Sequence, residues 1–175
     1  MQRFDELVER GTGFTLQALE KASNQVLEEL KGNAHTSSIK NLQMLNLQKA
    51  VVAIGAFSLF EAILQDGLGC ENGFAKAREI LLQRDKGELY NRFQDYNRAI
   101  NVLKHGKGDS YNYLLEKANV LPFKIKLPNE EFFIEGDVSE VATLIEVTDE
   151  FVLECVGIIR ELSEEIRAAR PDFYF

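Results

Sequence analysis

The stretch Ala50-Val51-Val52-Ala53-Ile54-Gly55-Ala56-Phe57-Ser58-Leu59-Phe60 decides the fold class of this chain. A helix of this composition is apolar on nearly all sides, and such a helix lies at the centre of a bundle. Lys49 and Glu61 bound the apolar run, which is too short for a bilayer, since a spanning helix needs roughly 20 apolar residues. We therefore expect a central helix over 39–66 and no membrane span.

The segments around this central helix also carry helical spacing. Leu16, Leu19, Val26 and Leu30 recur at steps of three or four residues and predict a helix over 2–31, followed by a polar loop from Asn33 to Ser38. Further helices are predicted at about 72–84, 88–105 and 110–118. A length of 175 residues suits one domain with one core. The predicted fold is all-α, an up-and-down bundle of four to five helices forming a single domain over 1–175.

The pattern changes between residues 121 and 135. Phe123-Lys124-Ile125-Lys126-Leu127 alternates strictly between apolar and charged residues, Pro128-Asn129 is a turn signal, and Phe132-Phe133-Ile134 follows. Alternation of this kind bounded by a turn is typical of paired strands. We therefore predict a small β-hairpin or extended arm at about 121–135, inserted before the last long helix.

The last helix has a candidate start signal at Asp137. Asp137 is a favourable N-cap, and Glu140 follows three residues later, as in a capping box. The predicted helix runs to about Ala169, where Pro171 ends it. One predicted face holds Val141, Leu144, Thr148, Phe151, Cys155, Ile159, Leu162 and Ile166.

Composition and charge exclude several classes of protein. The net charge of −8 argues against broad electrostatic binding to nucleic acid. From Glu130 to Glu165 there are twelve acids and one base, a net −11, so the other residues sum to +3. Cys70 and Cys155 form no motif, and no cluster has metal-ligand spacing, so we expect no metal and no cofactor. The N-terminus lacks a signal peptide, and a reducing cytoplasm is the expected location.

The fourth predicted helix carries a polar stripe. At about 100° per residue, Asn91, Gln94, Arg98, Asn101 and His105 lie on one side, opposite Phe93, Tyr96, Ile100 and Leu103. The stripe has no carboxylate, and the nearby Lys104 and Lys107 are offset only by Asp109. Arg can hold a phosphate through two hydrogen bonds, and His can act as acid or base near neutral pH. The stripe therefore predicts a local anion site.

A structural interpretation of the same residues remains open. Lys104-His105-Gly106 is also typical of a helix C-terminus, because cations favour the negative end of the helix dipole and glycine favours the position that follows. Arg98 would then be a solvated residue opposite the apolar face. Glu61 could orient Arg98 or His105 across the bundle, although a glutamate in this position is more often a surface or ion-paired residue.

The residues Arg98-Ala99-Ile100-Asn101-Val102-Leu103-Lys104-His105 resemble the motif of the HEPN superfamily, in which an arginine is followed after four to six residues by a histidine. The apolar second helix with Phe60-Glu61-Ala62-Ile63-Leu64 is also similar to that family. The resemblance covers roughly 39–118. The residue after the arginine is usually polar in the family, whereas Ala99 stands here.

Many members of that superfamily are metal-independent ribonucleases of toxin–antitoxin and other defence systems, and others are non-catalytic modules. The resemblance implies that Arg98 stabilises the phosphoryl transition state and that His105 moves a proton. It also implies a homodimer in which two such helices face one cleft. RNA-binding residues would be Gln94, Asn101, Lys104 and Lys107, with Glu61 in support. The alternative is a non-catalytic HEPN-like interaction or nucleotide-binding module, whose partner would be an antitoxin or a nucleotidyltransferase.

Overall fold

The computed structural model describes residues 3–32 and 36–172. These residues form six α-helices: α1 (Phe4–Gly32), α2 (Thr36–Leu68), α3 (Gly73–Gln83), α4 (Gly87–His105), α5 (Asp109–Glu116) and α6 (Asp149–Ala169). The all-α class is therefore confirmed, with six helices in place of four or five. Gln2 and the loop residues 33–35 lie outside the described residues, and Thr36 to Ser38, predicted as loop, already belong to α2.

Helix α2 packs against α1, α3, α4 and α6, so the central position predicted for it is correct. Phe57 and Phe60 are fully buried and contact the rings of Phe74 and Phe93, with centroid separations of 5.2–6.4 Å across the cluster. One face of α2 remains exposed, with Met44, Leu47, Val51 and Leu59. By length and composition α2 could also cross a membrane, a criterion that the central helix of a bundle meets equally well.

Helix α6 is the second core helix, and it packs against α1, α2, α3 and α4. Its buried residues include five of those predicted for this face, namely Phe151, Cys155, Ile159, Leu162 and Ile166. The predicted start at Asp137 is wrong, because α6 begins at Asp149. Thr148 is the N-cap, and its Oγ1 accepts a hydrogen bond from the backbone N–H of Phe151 at 3.2 Å. Asp137 instead accepts hydrogen bonds from the backbone N–H and the hydroxyl of Ser139 in a local turn.

The predicted β-hairpin at 121–135 is also wrong, since no ladder joins 123–127 to 132–134 in the described residues. Ile125 instead forms a single antiparallel bridge with Ile145. The backbone N–H of Lys126 donates to the carbonyl of Leu144 at 2.9 Å, and that of Glu146 donates to the carbonyl of Lys124 at 3.0 Å. Residues 121–148 therefore form an irregular segment, which we name the arm.

A buried ion pair explains why the second half of the hairpin is missing. The side chain of Glu140 accepts hydrogen bonds from the backbone N–H groups of Phe133 at 2.9 Å and Ile134 at 2.6 Å, and a hairpin ladder would have needed one of these two donors. Lys126 Nζ lies 3.3 Å from Glu140 Oε2 and 4.5 Å from the centre of the Phe133 ring. A carboxylate and an ammonium group thus replace strand pairing within the arm.

The acidic stretch supplies countercharges for cations elsewhere in the bundle. Asp149 pairs with Lys49 at 2.6 Å, and Glu165 pairs with both Arg84 and Lys86 at 2.8 Å. Arg92 of α4 bridges two further acids of α6, Glu154 and Glu161. Four of the twelve acids of this stretch thus form ion pairs that join α6 to cations of other helices or helix ends.

Candidate functional site

Helix α4 presents two faces that match the helical spacing of its residues. Phe93, Tyr96 and Ile100 are buried in the core. On the opposite side Asn91 and His105 are exposed, and Gln94, Arg98 and Asn101 are partly exposed. The polar stripe therefore faces away from the hydrophobic core of its own chain.

Arg98 is held in place by α5, which packs along α4 after the chain turns at Gly106 with φ +75°. Arg98 Nη1 donates a hydrogen bond to Ser110 Oγ at 3.3 Å. The guanidinium carbon lies 5.3 Å from the centre of the Tyr113 ring, within the range of a cation–π contact. Within the described residues Arg98 has no other hydrogen bond and no ion pair, so most of its five N–H donors remain available to a ligand.

A neighbouring cluster compensates the negative charge of Asp95, which lies three residues before Arg98 on α4. Asp95 is paired with Lys117, whose Nζ lies 2.6 Å from Asp95 Oδ2, and it also accepts a hydrogen bond from the Tyr113 hydroxyl at 3.2 Å. Burial lowers the pKa of Lys117, but the hydrogen bonds to Asp95 and Tyr113 and the charge of Asp95 together outweigh it, and the pKa is raised overall. Lys117 therefore stays charged and neutralises Asp95, which leaves the charge of Arg98 uncompensated.

The contacts that α5 makes with Arg98 and Asp95 were not predicted from the sequence. Ser110, Tyr113 and Lys117 follow one another at steps of three and four residues, which places them on one face of a helix. That spacing was the available signal. It could not be used without knowing that α5 folds back along α4, because a short helix after a glycine-rich turn can leave in several directions.

His105 is the last residue of α4, and the backbone N–H of Gly106 closes the helix by donating to the carbonyl of Val102 at 2.8 Å. The helix-end interpretation of Lys104-His105-Gly106 is therefore correct as a description of local structure. In the part of the chain that the structure describes, no side-chain hydrogen bond or ion pair involves Gln94, Asn101, Lys104, His105 or Lys107. These side chains are free to contact a ligand.

Glu61 lies apart from the stripe, at the crossing of α2 and α3. The crossing is close, because a Cβ built on Gly73 would lie 2.7 Å from the carbonyl oxygen of Glu61. No contact of Glu61 with Arg98 or His105 occurs among the described residues. The structure thus brings together Arg98, Ser110 and Tyr113, and it does not bring Glu61 to them.

The described residues contain no group of three or more His, Cys, Asp or Glu side chains that could hold a metal ion. The stripe offers a guanidinium, an imidazole and three amides, and Lys104 and Lys107 beside it add two ammonium groups. Such a set can bind an anion through charge and hydrogen bonds, and its imidazole can transfer a proton.

Comparison with known proteins finds no matching family model, no matching curated protein and no matching solved structure. The class of protein that fold and site define is an all-α bundle whose fourth helix carries an outward-facing cationic stripe supported by its fifth.

Proposed function

We propose that this protein is a HEPN-like, metal-independent endoribonuclease of a cytoplasmic toxin–antitoxin or defence system. One observation carries the proposal. Arg98 is fixed by Ser110 and Tyr113 while most of its donors stay free, and it shares a carboxylate-free face with His105, whose imidazole is exposed two turns further along α4. Fixed donors without a competing carboxylate are what the developing charge on a phosphoryl group requires.

The residues of the stripe suit cleavage of RNA by its own 2′-hydroxyl. His105 as general base takes the proton of that hydroxyl while the 2′-oxygen attacks the adjacent phosphorus and the bond to the 5′-oxygen breaks. Water protonates the departing 5′-oxygen, the protonated His105 returns its proton to the solvent, and the products are a 2′,3′-cyclic phosphate and a 5′-hydroxyl. Arg98 stabilises the added charge on the phosphoryl oxygens. Gln94 and Asn101 can hydrogen-bond the RNA, and Lys104 and Lys107 can contact its phosphates.

The spacing within one helix supports a homodimer. Seven residues of helix separate the Cα atoms of Arg98 and His105 by about 10.5 Å, which is long for two groups acting on one phosphate. Two copies with their α4 helices antiparallel across a two-fold axis would bring Arg98 of each copy towards His105 of the other. The proposed active form is therefore a dimer with two composite sites, and a cognate antitoxin would act by covering the shared cleft.

The test is an RNA cleavage assay in EDTA with the wild type, Arg98→Ala and His105→Ala. We expect cleavage by the wild-type dimer and a loss of about 100-fold or more in each variant, the scale of a lost acid–base or charge-stabilising group. Lys21→Ala, which removes an exposed cation from α1, is the matched control and should cleave normally. An inert wild-type dimer, or full activity in both stripe variants, would contradict the proposal.

A second candidate, a non-catalytic HEPN-like module, is favoured by Ala99. This position follows the arginine and is usually polar in the family, but here it is fully buried in the core. Such a module would bind a nucleotide, an antitoxin or a nucleotidyltransferase through the same stripe. Nucleotide or RNA binding that Arg98→Ala weakens, with no cleavage by any variant, would favour this candidate. A pull-down from the native host with no stable partner would count against its protein-binding form.

A further inference from the structure

A cavity lies beside the buried face of α4, away from the stripe. It has a volume of about 820 Å³, which falls within the range of small-molecule sites. Its wall combines the aromatic residues Tyr96, Phe123 and Phe151 with the arm and the first turns of α6. The three rings pack on one another with centroid separations of 5.0–5.3 Å and form a rigid apolar surface.

The Tyr96 hydroxyl in this wall lacks a partner. Tyr96 is 3% exposed, and no hydrogen bond to its hydroxyl occurs in the described ranges 3–32 and 36–172. Burial and the nearby charge of Glu154 both raise the pKa of Tyr96, so the phenol stays neutral and can donate or accept a hydrogen bond. Tyr96 lines the cavity, so its hydroxyl can form a hydrogen bond with a ligand there.

The rim of the cavity is acidic. Four glutamates line it, namely Glu130, Glu146, Glu150 and Glu154. Among the described residues Lys124 is the only cation in the lining. Glu146 lies 3.4 Å from Lys124, and Glu154 is shared with Arg92. Glu130 and Glu150 are exposed and form no ion pair in the described part of the chain. The field in the cavity is therefore negative and excludes anionic ligands.

We propose that this cavity binds a linear aliphatic polyamine. The ammonium groups pair with Glu130 of the arm and Glu150 of α6, an N–H group donates to the Tyr96 hydroxyl oxygen, and the methylene chain packs on Phe123 and Phe151. Carboxylates from two separate segments around one apolar surface match a ligand with more than one cation on an apolar stem. The site is independent of the polar stripe and of any ribonuclease activity.

The test is calorimetric titration of the full chain with spermidine at low salt. We expect saturable binding at a single site that weakens about fivefold in Glu130→Gln, Glu150→Gln and Tyr96→Phe, each of which removes one polar contact. The two glutamates are exposed and form no ion pair in the described residues, and the glutamine that replaces Glu130 can still accept the hydrogen bond from the backbone N–H of Leu127, so we expect both variants to fold. Glu164→Gln, which removes an exposed acid of α6 outside the cavity, should bind as the wild type does. Butane-1,4-diol, a neutral analogue of a diamine, should not bind.

Three results would overturn the proposal. Spermidine could fail to saturate, Glu164→Gln could weaken binding as much as Glu150→Gln, or Mg²⁺ could displace spermidine at equal concentration. The last two results would mean that the acidic surface attracts any cation. A lysine-rich peptide is titrated in a parallel experiment. If that peptide binds and spermidine does not, the cavity belongs to a basic protein partner and the polyamine assignment is wrong.

Discussion

Lys126 and Glu140 are the pair of residues on which the arm depends. Their side chains are only 7% and 12% exposed, and Glu140 also accepts two backbone N–H groups. Burial raises the pKa of Glu140, but the hydrogen bonds from Phe133, Ile134 and Lys126 lower it further, and the net pKa is below its usual range. The carboxylate is thus charged in the folded protein and compensates an ammonium group that has almost no access to water.

We predict that Glu140→Gln lowers the free energy of unfolding by about 3 kcal/mol, because it leaves the buried charge of Lys126 without a counter-ion. Urea unfolding followed by circular dichroism measures the change. Glu131→Gln is the control, since Glu131 is exposed and makes no ion pair in the described residues, and it should leave the midpoint unchanged. Equal midpoints for Glu140→Gln and wild type would disprove this role of the pair.

At the candidate site, the sequence predicts the face of α4 on which Arg98 lies but not the residues that contact it. Helical spacing correctly placed Arg98 and Asn101 on the side of α4 away from the core. The partners of Arg98 were not foreseen, because Ser110 and Tyr113 reach it only through the packing of α5 on α4. The unpartnered hydroxyl of Tyr96 was equally hidden, since an aromatic residue on an apolar face predicts only that it is buried.

At the scale of elements, α6 is the helix whose extent differs most from expectation. Asp137 and Glu140 have the spacing of a capping box, but the arm uses both side chains for other contacts. The helix begins only at Asp149, four residues beyond Ile145, which forms the bridge with Ile125. A capping signal is local, and contacts distant in sequence decided whether the chain could use it.

We predict that Thr148→Ala destabilises the protein by about 1 kcal/mol, the usual cost of a lost N-cap. The loss should be concentrated in the first turn of α6, so the amide protons of Phe151 and Val152 should exchange faster with solvent. Hydrogen exchange followed by NMR measures this. Asp137→Ala is the matched comparison and should leave those amides unchanged, and faster exchange there in Asp137→Ala would mean that the helix begins earlier.

At the scale of the whole molecule, ion pairs from the acidic stretch connect α6 to the other helices, and a further pair, Lys126 with Glu140, lies within the arm. Glu165 pairs with Lys86 and Arg84. The hydrogen bonds from these two residues lower the pKa of Glu165, and burial, which raises it, has the smaller effect. Glu140 has a lowered pKa for the reasons given above. The stability of the fold is therefore linked to the ionisation of at least these two carboxylates.

We predict that the free energy of unfolding stays nearly constant from pH 7 to about pH 5 and falls below about pH 4.3, the ordinary pKa of glutamate. The sign follows from the lowered pKa values, because the unfolded chain binds protons at a pH where the folded protein does not. Denaturant titrations at a series of pH values measure the slope. The double variant Glu140→Gln, Glu165→Gln should have a shallower slope below that pH, and an unchanged slope would exclude these two groups as its source.

The sequence by itself determined the helices and the face that each presents. The helices predicted at 72–84 and 88–105 correspond to Gly73–Gln83 and Gly87–His105 in the structure. They were predictable because hydrophobic periodicity, capping residues and terminating glycines act within a few residues of the chain. The all-α class and the outward stripe on α4 follow from the same local rules.

Only the tertiary structure decided the arm, the start of α6, the residues that hold Arg98 and the cavity beside Tyr96. In each case the deciding contact joins residues far apart in the chain, such as Lys126 with Glu140 and Phe123 with Phe151. Whether such groups meet depends on how the helices pack, since burial can favour an ion pair or an aromatic contact over the local pattern of a hairpin or a capping box.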